Sequence, residues 1–505
     1  MHSDRLVIAP AVLLVLALAA CAAASSESTR ARAAPTLPEH WPSPWDDAHG
    51  AAPLDFTPPR FEPPSAAHCQ QAPTTREVPG SGDPQHGSAG TLRDRLARAA
   101  GATAALERAA EPSATKSGST ELRAKEELRP GDRAADAAGA GRRENAPAPS
   151  VQSQRPAAAT VSAGVVDDNA DFGAYLAYRR RSAGQAVRER DISERYLLEV
   201  TDAGGRPVHD AEVAVQRPGA REPVMRARTD TAGRVWLHPR AFIAPASGAD
   251  GVLGVAVRKG ASQARVTLQR GQAHAVQVRL GAVDLPQRPR LDLVFMIDAT
   301  GSMGDEIGKL KASMRAMAEQ IADLPGRPDI CWGLVAYRDR GDAFLTRTHD
   351  FTNDLGAFQG LLARVQAQGG GDTPEAVNEA LHEVVHGLRW RTEAARLVVM
   401  VADAPPHLDY GGPQYDTAMQ AALAKGIKLF AVGASGLDRV GEYVFRQLAQ
   451  YTAGRFVFLT YRDAADPSSG PGTQTVHDVQ NYSVQTLDRL VVRLVSEEMA
   501  RLGRS

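Results

Sequence analysis

Oxygen-bearing side chains follow an apolar run near the middle of the chain at alternate positions. The segment VFMIDATGSMGDEI, residues 294–307, carries Asp298, Thr300 and Ser302 on the turn between a strand pattern and a helix pattern. Carboxylate and hydroxyl oxygens are the ligands that hard divalent cations such as Mg²⁺ and Mn²⁺ prefer. The spacing therefore indicates a metal site on the loop that leaves this strand.

Two further loops carry oxygen ligands of the same kind. The segment QGGGDTPEA, residues 368–376, offers Asp372 and Thr373, and Asp403 directly follows the strand pattern VVMVA. In doubly wound sheets, ligands bind at the edge formed by the carboxyl ends of the strands. The three loops are therefore predicted to meet there. The alternative is that each loop only caps the helix that follows it, as Asp, Thr or a Pro-Glu first turn commonly does.

The elements that would position these loops alternate between strands and helices. Near-continuous apolar runs such as LDLVFMID and RLVVMVAD are separated by amphipathic helix patterns over residues 288–503. Such alternation predicts an α/β fold with a doubly wound, mostly parallel, Rossmann-like sheet. A last helix with an apolar stripe, from about Ser483 to Leu502, is expected to dock on that sheet.

Short strand patterns dominate the preceding region. About seven alternating or β-branched runs, separated by turn signals within residues 191–282, predict a small all-β sandwich. The stretch VTDAGGRPVHDAEVAV resembles bacterial Ig-like and carboxypeptidase-regulatory-like domains, which implies a spacer or a binding module. His209 and Asp210 lie in a turn of this region, where we expect solvated side chains.

The three oxygen-bearing loops together resemble the metal-ion-dependent adhesion site of von Willebrand factor A domains. The family pattern is Asp-x-Ser-x-Ser, a Thr from a second loop and an Asp from a third, and Thr300 stands where the family usually has its first Ser. Either Asp372 or Thr373 aligns with the second-loop ligand, and Thr373 is favoured. The resemblance implies that the Asp or Glu of a protein partner completes the coordination of Mg²⁺ or Mn²⁺. The implied activity is binding or adhesion, and a scaffold that has lost its metal is the alternative.

A zinc metallopeptidase is a different interpretation, because His382-Glu-Val-Val-His386 matches the His-Glu-x-x-His pattern. Helical periodicity, however, places both histidines opposite the apolar face of their helix. That face consists of Val377, Ala380, Leu381, Val384 and Leu388. The extended zinc pattern also fails, since Arg389 and Thr392 occupy its Gly and third His positions. We therefore expect no zinc site and no enzymatic activity.

The N-terminus predicts export and a lipid anchor. Residues 1–20 join an early Arg5 to a short apolar run that ends in Leu-Ala-Ala before Cys21. This resembles the bacterial lipobox, in which the cysteine is lipidated, and an ordinary signal peptide is the alternative. Residues 21–170 are rich in Ala, Pro, Ser and Gly and predict a disordered tether, because they offer little apolar surface to bury. The resemblance, with Ala22 in the sorting position, implies the outer membrane of a bacterial envelope.

Charge and cysteine content narrow the classes of partner and of stabilising bond. The formal net charge is −1 and no basic stripe is present, so a nucleic-acid partner is disfavoured. Besides Cys21, the chain has Cys69 in the predicted tether and Cys331 in an apolar strand pattern. A flexible segment and a buried strand are poor partners, so we expect no disulfide.

Overall fold

Three sheets and the helices around them form the described part of the chain. The computed structural model describes residues 65–81, 160–220, 222–243, 251–284, 288–371 and 373–502. The strands are β1 (Thr75–Pro79), β2 (Ser162–Val166), β3 (Tyr196–Thr201), β4 (Glu212–Gln216), β5 (Met225–Arg228), β6 (Arg234–Leu237), β7 (Val252–Lys259), β8 (Ser262–Gln269), β9 (Val276–Arg279), β10 (Arg290–Asp298), β11 (Asp329–Tyr337), β12 (Phe344–Thr352), β13 (Ala394–Ala402), β14 (Ile427–Gly433), β15 (Arg455–Asp463), β16 (Asp466–Pro471) and β17 (Ser483–Thr486). The α-helices are α1 (Phe172–Arg181), α2 (Gly304–Ala322), α3 (Leu355–Arg364), α4 (Val377–His382), α5 (Tyr415–Ala424), α6 (Arg439–Tyr451) and α7 (Leu487–Leu502).

The largest sheet is mixed, with a parallel centre. Its order is β1-β12-β11-β10-β13-β14-β15-β2-β17, and β16 pairs with β15. The neighbours from β11 through β15 in this order run parallel, and antiparallel pairs close both edges. Every residue of β13 is buried, as expected for a strand covered on both faces. Among β10 to β15, four of the five pairings are parallel, so the prediction of a doubly wound, mostly parallel sheet is confirmed for these central strands.

Helices cover both faces of this sheet. Helices α2, α3 and α7 pack on the face that carries Phe295, and α4, α5 and α6 pack on the face that carries Val294 and Met296. The apolar stripe predicted for the last helix is buried in α7. Among the helices of the described residues, none has both the length and the apolar content needed to cross a bilayer.

Two smaller sheets form the region that precedes the large one. Their orders are β6-β3-β9 and β5-β4-β7-β8. Burial alternates along β3 and β7, which is the period-2 pattern of strands that bury one face. Leu198, Val213 and Val255 belong to the same hydrophobic core as one face of the large sheet. The predicted strand-rich region is therefore present, and its core is continuous with that of the following domain.

The turn that carries Asp210 is buried at this junction, so the prediction of solvated side chains is wrong. Asp210 is 3% exposed and His209 is 8% exposed. The Asp210 carboxylate accepts hydrogen bonds from Arg228, at 3.0 Å, and from Arg396 near the start of β13, at 2.8 Å. The large sheet covers the turn from the amino-terminal end of its strands, which local turn signals cannot reveal.

Two strands lie within the region predicted to be a disordered tether. Strand β1 pairs with β12, and β2 is inserted between β15 and β17. The prediction for residues 21–170 is therefore wrong for residues 65–81, named the strap below, and for residues 160–170. No residue of β1 is buried, and its backbone pairing leaves no apolar pattern in the sequence. The predicted signal peptide, residues 1–20, and Cys21 lie outside the described residues.

A disulfide joins the strap to the large sheet, so the prediction of no disulfide is wrong. It links Cys69 to Cys331 of β11 with a Cα–Cα distance of 6.1 Å. The strap is ordered at this point because its backbone pairs with the sheet region, as in the hydrogen bond from Ser65 N to Trp390 O at 2.9 Å. A segment held in this way can present its cysteine to a strand far away in the sequence.

Loss of this disulfide is expected to lower the free energy of unfolding by about 2–5 kcal/mol, because the reduced unfolded chain regains the freedom of a long loop. Urea unfolding with and without reductant measures the difference. The Cys69→Ser variant should match the reduced wild type and should not respond to reductant. A variant as stable as the oxidised wild type would show that the strap is held without the bond.

Candidate functional site

The first loop of the predicted site forms a compact hydrogen-bonded turn after β10. Asp298 is fully buried, and its Oδ1 accepts hydrogen bonds from the backbone N–H and the hydroxyl of Thr300, at 2.9 and 2.6 Å. The hydroxyl oxygen of Thr300 lies 3.0 Å from that of Ser302. The 3₁₀ turn Gly301–Met303 then leads into α2. The three side chains predicted to share one turn therefore do so.

Backbone hydrogen bonds hold the second loop against the first. The N–H of Gly301 donates to the carbonyl of Gly369 at 2.9 Å, and the N–H of Gln368 donates to the carbonyl of Ala299 at 3.0 Å. Gly370 has φ +70°, and a Cβ atom there would lie 3.1 Å from the Cβ of Thr300. The close approach of the two loops therefore requires glycine at this position.

The third loop brings a second buried carboxylate to the same edge. Asp403, 2% exposed, directly follows β13, which neighbours β10. Burial, followed by the nearby Asp403 carboxylate, raises the pKa of Asp298 to about 7. The hydroxyl of Tyr337 donates to the other oxygen of Asp298 at 3.1 Å. The structure therefore places Asp298 and Asp403 close enough to repel each other as anions.

The second-loop ligand remains a prediction. Thr373 is exposed on this loop, and Asp372 lies outside the described residues. Sequence reasoning missed Glu375, which is 1% exposed and has no hydrogen-bond partner for either carboxylate oxygen within the described residues. Burial, and then Asp298, raise the pKa of Glu375 to about 10. Its position two residues after Thr373, on a loop already predicted to carry a metal ligand, was the available signal.

Helix capping does not account for these side chains. Thr300 precedes the 3₁₀ turn without making a side-chain capping bond, and α4 begins after Ala376, whose methyl side chain cannot cap a helix. Buried carboxylates with raised pKa values are instead typical of a divalent-cation site to which no ion is bound, because a bound cation would neutralise their charge. No group of three or more His, Cys, Asp or Glu in the described part of the chain is arranged to hold a metal ion. An ion at this edge would therefore need hydroxyl oxygens as well, as Thr300 and Ser302 supply.

The residues of the zinc-like pattern have other neighbours. His382 and His386 are both exposed, with ring centroids 4.7 Å apart, and the predicted apolar face of the helix is buried. Glu383, which would activate water in a peptidase, instead forms an ion pair with Arg76 of the strap. It also accepts a hydrogen bond from the hydroxyl of Thr348 at 3.1 Å. Glu383 is therefore engaged in holding the strap to the domain.

An ordered rim stands beside the three loops. The guanidinium group of Arg340 lies 3.2 Å from the ring centroid of Tyr410, and both residues bind one oxygen of Glu379, at 3.1 and 2.8 Å. On the same rim, His407 Nε2 lies 3.0 Å from a carboxylate oxygen of Asp339. These contacts give the edge of the site a fixed shape, as a surface that selects partners requires.

Comparison with known proteins identifies the domain that contains the site. The family model of the von Willebrand factor type A domain matches residues 292–466. Alpha-protein kinase vwkA of Dictyostelium discoideum is 31% identical over 119 residues, 23% of this chain and 19% of that protein. The human von Willebrand factor A domain-containing protein 7 is 37% identical over 93 residues, 18% of this chain and 10% of that protein. The chain thus spans less than a fifth of the length of these two relatives. A solved structure, the conserved hypothetical protein BatB from Bacteroides thetaiotaomicron, is similar over 43% of this chain and 100% of that chain, with 14% identity and a TM-score of 0.28.

Proposed function

Because residues 292–466 match the family model of the von Willebrand factor type A domain, we propose that this chain binds a protein partner through Mg²⁺ or Mn²⁺ held at the carboxyl edge of its large sheet. The observation that carries the proposal is the pair of buried carboxylates, Asp298 and Asp403, beside the linked hydroxyls of Thr300 and Ser302. Two such carboxylates raise each other's pKa unless a cation lies between them.

The residues of the proposed site have different roles in binding. Asp298, Thr300, Ser302 and Asp403 would hold the ion, with Thr373 or Asp372 as the second-loop ligand. When bound, the ion supplies an electrophilic position that the Asp or Glu of a partner completes. The hydroxyl ligands are important because they are uncharged. They coordinate the ion without neutralising the positive charge that attracts the partner's carboxylate.

The proposed activity is non-covalent binding without catalysis. It requires no nucleophile and no general base. Tyr337 orients the Asp298 carboxylate through its hydrogen bond, and the two backbone hydrogen bonds between the first and second loops fix their separation. A metal-free scaffold remains the principal alternative, and a zinc peptidase that uses His382 and His386 is the alternative of a different class.

We further propose that the chain works in the bacterial envelope, anchored by a lipid on Cys21, with the outer membrane as its site. The disulfide between Cys69 and Cys331 supports export, because such bonds persist in oxidising compartments outside the cytosol. The strap that carries Cys69 belongs to the folded body, so the anchor would hold this body through the residues that precede the strap.

Calorimetric titration of Mg²⁺ into the full chain tests the metal site. We expect saturable binding that Asp298→Ala weakens by at least about a hundredfold, since loss of even an outer partner of a ligand costs about 10–100-fold. The His382→Ala variant is the matched control and should bind Mg²⁺ as the wild type does. A truncated chain beginning at Asp191 is unsuitable, because it lacks β1 and β2 of the large sheet.

The same titrations discriminate between the alternatives. Stoichiometric Zn²⁺ binding that disappears in His382→Ala would favour the peptidase, and no binding of Mg²⁺, Mn²⁺ or Zn²⁺ would leave the scaffold. Capture of a partner from envelope extract on the immobilised chain then tests the mechanism. The partner should be retained with Mg²⁺ and released when the metal is removed, and equal capture in both conditions would contradict a metal-dependent contact.

A further inference from the structure

A cationic cavity lies beside the metal loops. A cavity of about 440 Å³, open to solvent on one side, is bordered by the ends of β11 and β12, the carboxyl end of α3 and the segment that leads to the second loop. Arg338, Arg347 and Arg364 line it, and no Asp or Glu of the described residues does. Its volume lies within the range of sites for small molecules, about 300–1,000 Å³.

The positive charges of the cavity are only partly neutralised. Of the three arginines, Arg347 alone forms an ion pair within the described residues, with Glu77 of β1 at 2.7 Å. Arg338 is 7% exposed, and its Nε is buried without a hydrogen-bond partner in the described structure. A buried guanidinium group with an unused donor is costly unless another group accepts its hydrogen bond.

Neighbouring side chains hold these charges in place. The guanidinium carbons of Arg338 and Arg347 lie 4.5 and 4.2 Å from the ring centroid of Phe344. Burial, and then the charges of Arg347 and Arg364, lower the pKa of His349 to about 4. His349, which also lines the cavity, is therefore neutral at physiological pH.

We propose that this cavity binds an anion with two or more negative charges, namely the phosphate or polycarboxylate group of a small molecule. Guanidinium groups bind both kinds of anion through paired, charge-assisted hydrogen bonds. The proposal goes beyond the metal-dependent binding described above and does not depend on it, since the two sites have opposite charge and different residues.

The cavity nevertheless shares a wall with the metal centre. Ala299, which lies between two proposed metal-holding residues in the sequence, lines the cavity. The carbonyl of Ala299 accepts the hydrogen bond from Gln368, and the side-chain oxygen of Gln368 accepts a hydrogen bond from Arg338 at 3.3 Å. A bound anion would therefore compete for the arginine that supports the second loop. An anion could also coordinate a metal ion directly, so the test requires buffer depleted of metal.

Calorimetric titration of the full chain with inorganic phosphate and, separately, with citrate tests the proposal. Metal is removed by a chelating resin, because EDTA is itself a polycarboxylate. We expect saturable binding of at least one probe, weakened at least about tenfold in Arg347→Gln/Arg364→Gln through the loss of charge-assisted hydrogen bonds. The Arg364→Gln variant alone, which changes an exposed residue, provides a second test if the double variant folds poorly.

The matched control is Arg315→Gln, which removes the same charge from an exposed position on α2, where the Arg315 side chain is 64% exposed. It should leave the affinity unchanged. Binding of phosphate alone would assign a phosphate-bearing ligand, and binding of citrate alone a polycarboxylate. Absence of saturable binding for both probes, or equal affinity in the wild type and the arginine variants, would overturn the proposal.

Discussion

Replacing Asp298 with asparagine is expected to stabilise the metal-free chain above about pH 7, while abolishing its stabilisation by Mg²⁺. The reason is the raised pKa of Asp298, about 7 in the folded chain against an ordinary value of 3.8. Between these values the folded state holds a proton that the unfolded state has released. Stability contributed by this group therefore falls as the pH rises through this window.

The expected difference is measurable at two pH values. In metal-free buffer near pH 8, Asp298→Asn should exceed the wild type by about 2–4 kcal/mol in the free energy of urea unfolding, since each pKa unit corresponds to about 1.4 kcal/mol. Near pH 5 the difference should shrink, because the wild-type carboxyl is then protonated. Added Mg²⁺ should stabilise only the wild type, and more strongly at the higher pH, because metal and protons compete for the same oxygens.

A matched variant separates this effect from a general change of charge. Asp409→Asn removes the same charge from a side chain that is 80% exposed on the rim, and it should change stability little at either pH. An Asp298→Asn variant that is less stable than the wild type near pH 8 would contradict this prediction. The hydrogen bonds of Asp298 to Thr300 and Tyr337 would then outweigh the effects of its burial and of its repulsion by Asp403, and the case for a metal site would weaken.

The parts of the fold that the sequence predicted are those in which burial follows a simple period. Strand β13 is buried along its whole length, so it appears as an unbroken apolar run. Strand β3 is buried at every second residue, so it appears as alternation. The strap offers neither pattern, because β1 is attached by backbone hydrogen bonds at the edge of β12 with all its side chains outside the core.

The disulfide and the buried turn were missed for a related reason. Cys69 and Cys331 are 262 residues apart in sequence, and only the unpredicted order of the strap brings them together. Asp210 lies in a turn whose local sequence is typical of solvated turns, but the amino-terminal end of the large sheet covers it. Long-range packing, which a single sequence does not encode in any local pattern, decides both outcomes.

At the candidate site, the sequence predicted which loops meet but not the electrostatics. Asp298, Thr300, Ser302 and Asp403 were predicted as metal ligands because their types and spacing suit a divalent cation. Glu375 was missed because the burial of a carboxylate without a partner has no signature in the sequence, whereas the structure shows it directly.

Replacing Asp210 with asparagine is expected to destabilise the chain by about 3–5 kcal/mol, because breaking a buried ion pair leaves an uncompensated charge. Asp210 accepts hydrogen bonds from Arg228 and Arg396 and from the backbone N–H of Glu393. Burial opposes ionisation, but the positive charges of Arg396 and Arg228 outweigh it and hold the pKa of Asp210 far below its usual range. Its contribution is therefore present above about pH 4, the ordinary pKa of an aspartate, and is lost as the pH falls below it.

Asparagine is the appropriate replacement because Asp210 has φ 57°, a conformation that asparagine tolerates better than most residues do. Urea unfolding near pH 7 measures the loss. The Arg396→Met change alone should also destabilise the chain. Combined with Asp210→Asn, it should cost less than the sum of the two single changes, because it removes one of the positive charges that Asp210→Asn leaves unpaired. Additive losses would mean that the two side chains do not act as a pair.

Mg²⁺ affinity provides the functional control for this junction. Arg396 lies near the amino-terminal end of β13, whereas Asp403 follows the carboxyl end of the same strand. The Asp210→Asn variant should therefore bind Mg²⁺ as the wild type does, as long as it is folded. If stability falls and affinity does not, the strand-rich region acts as a rigid support fixed to the end of the domain opposite the proposed partner-binding edge. A freely hinged spacer would tolerate the loss of Asp210 with little change in stability, because its own core would not depend on the contact with Arg396.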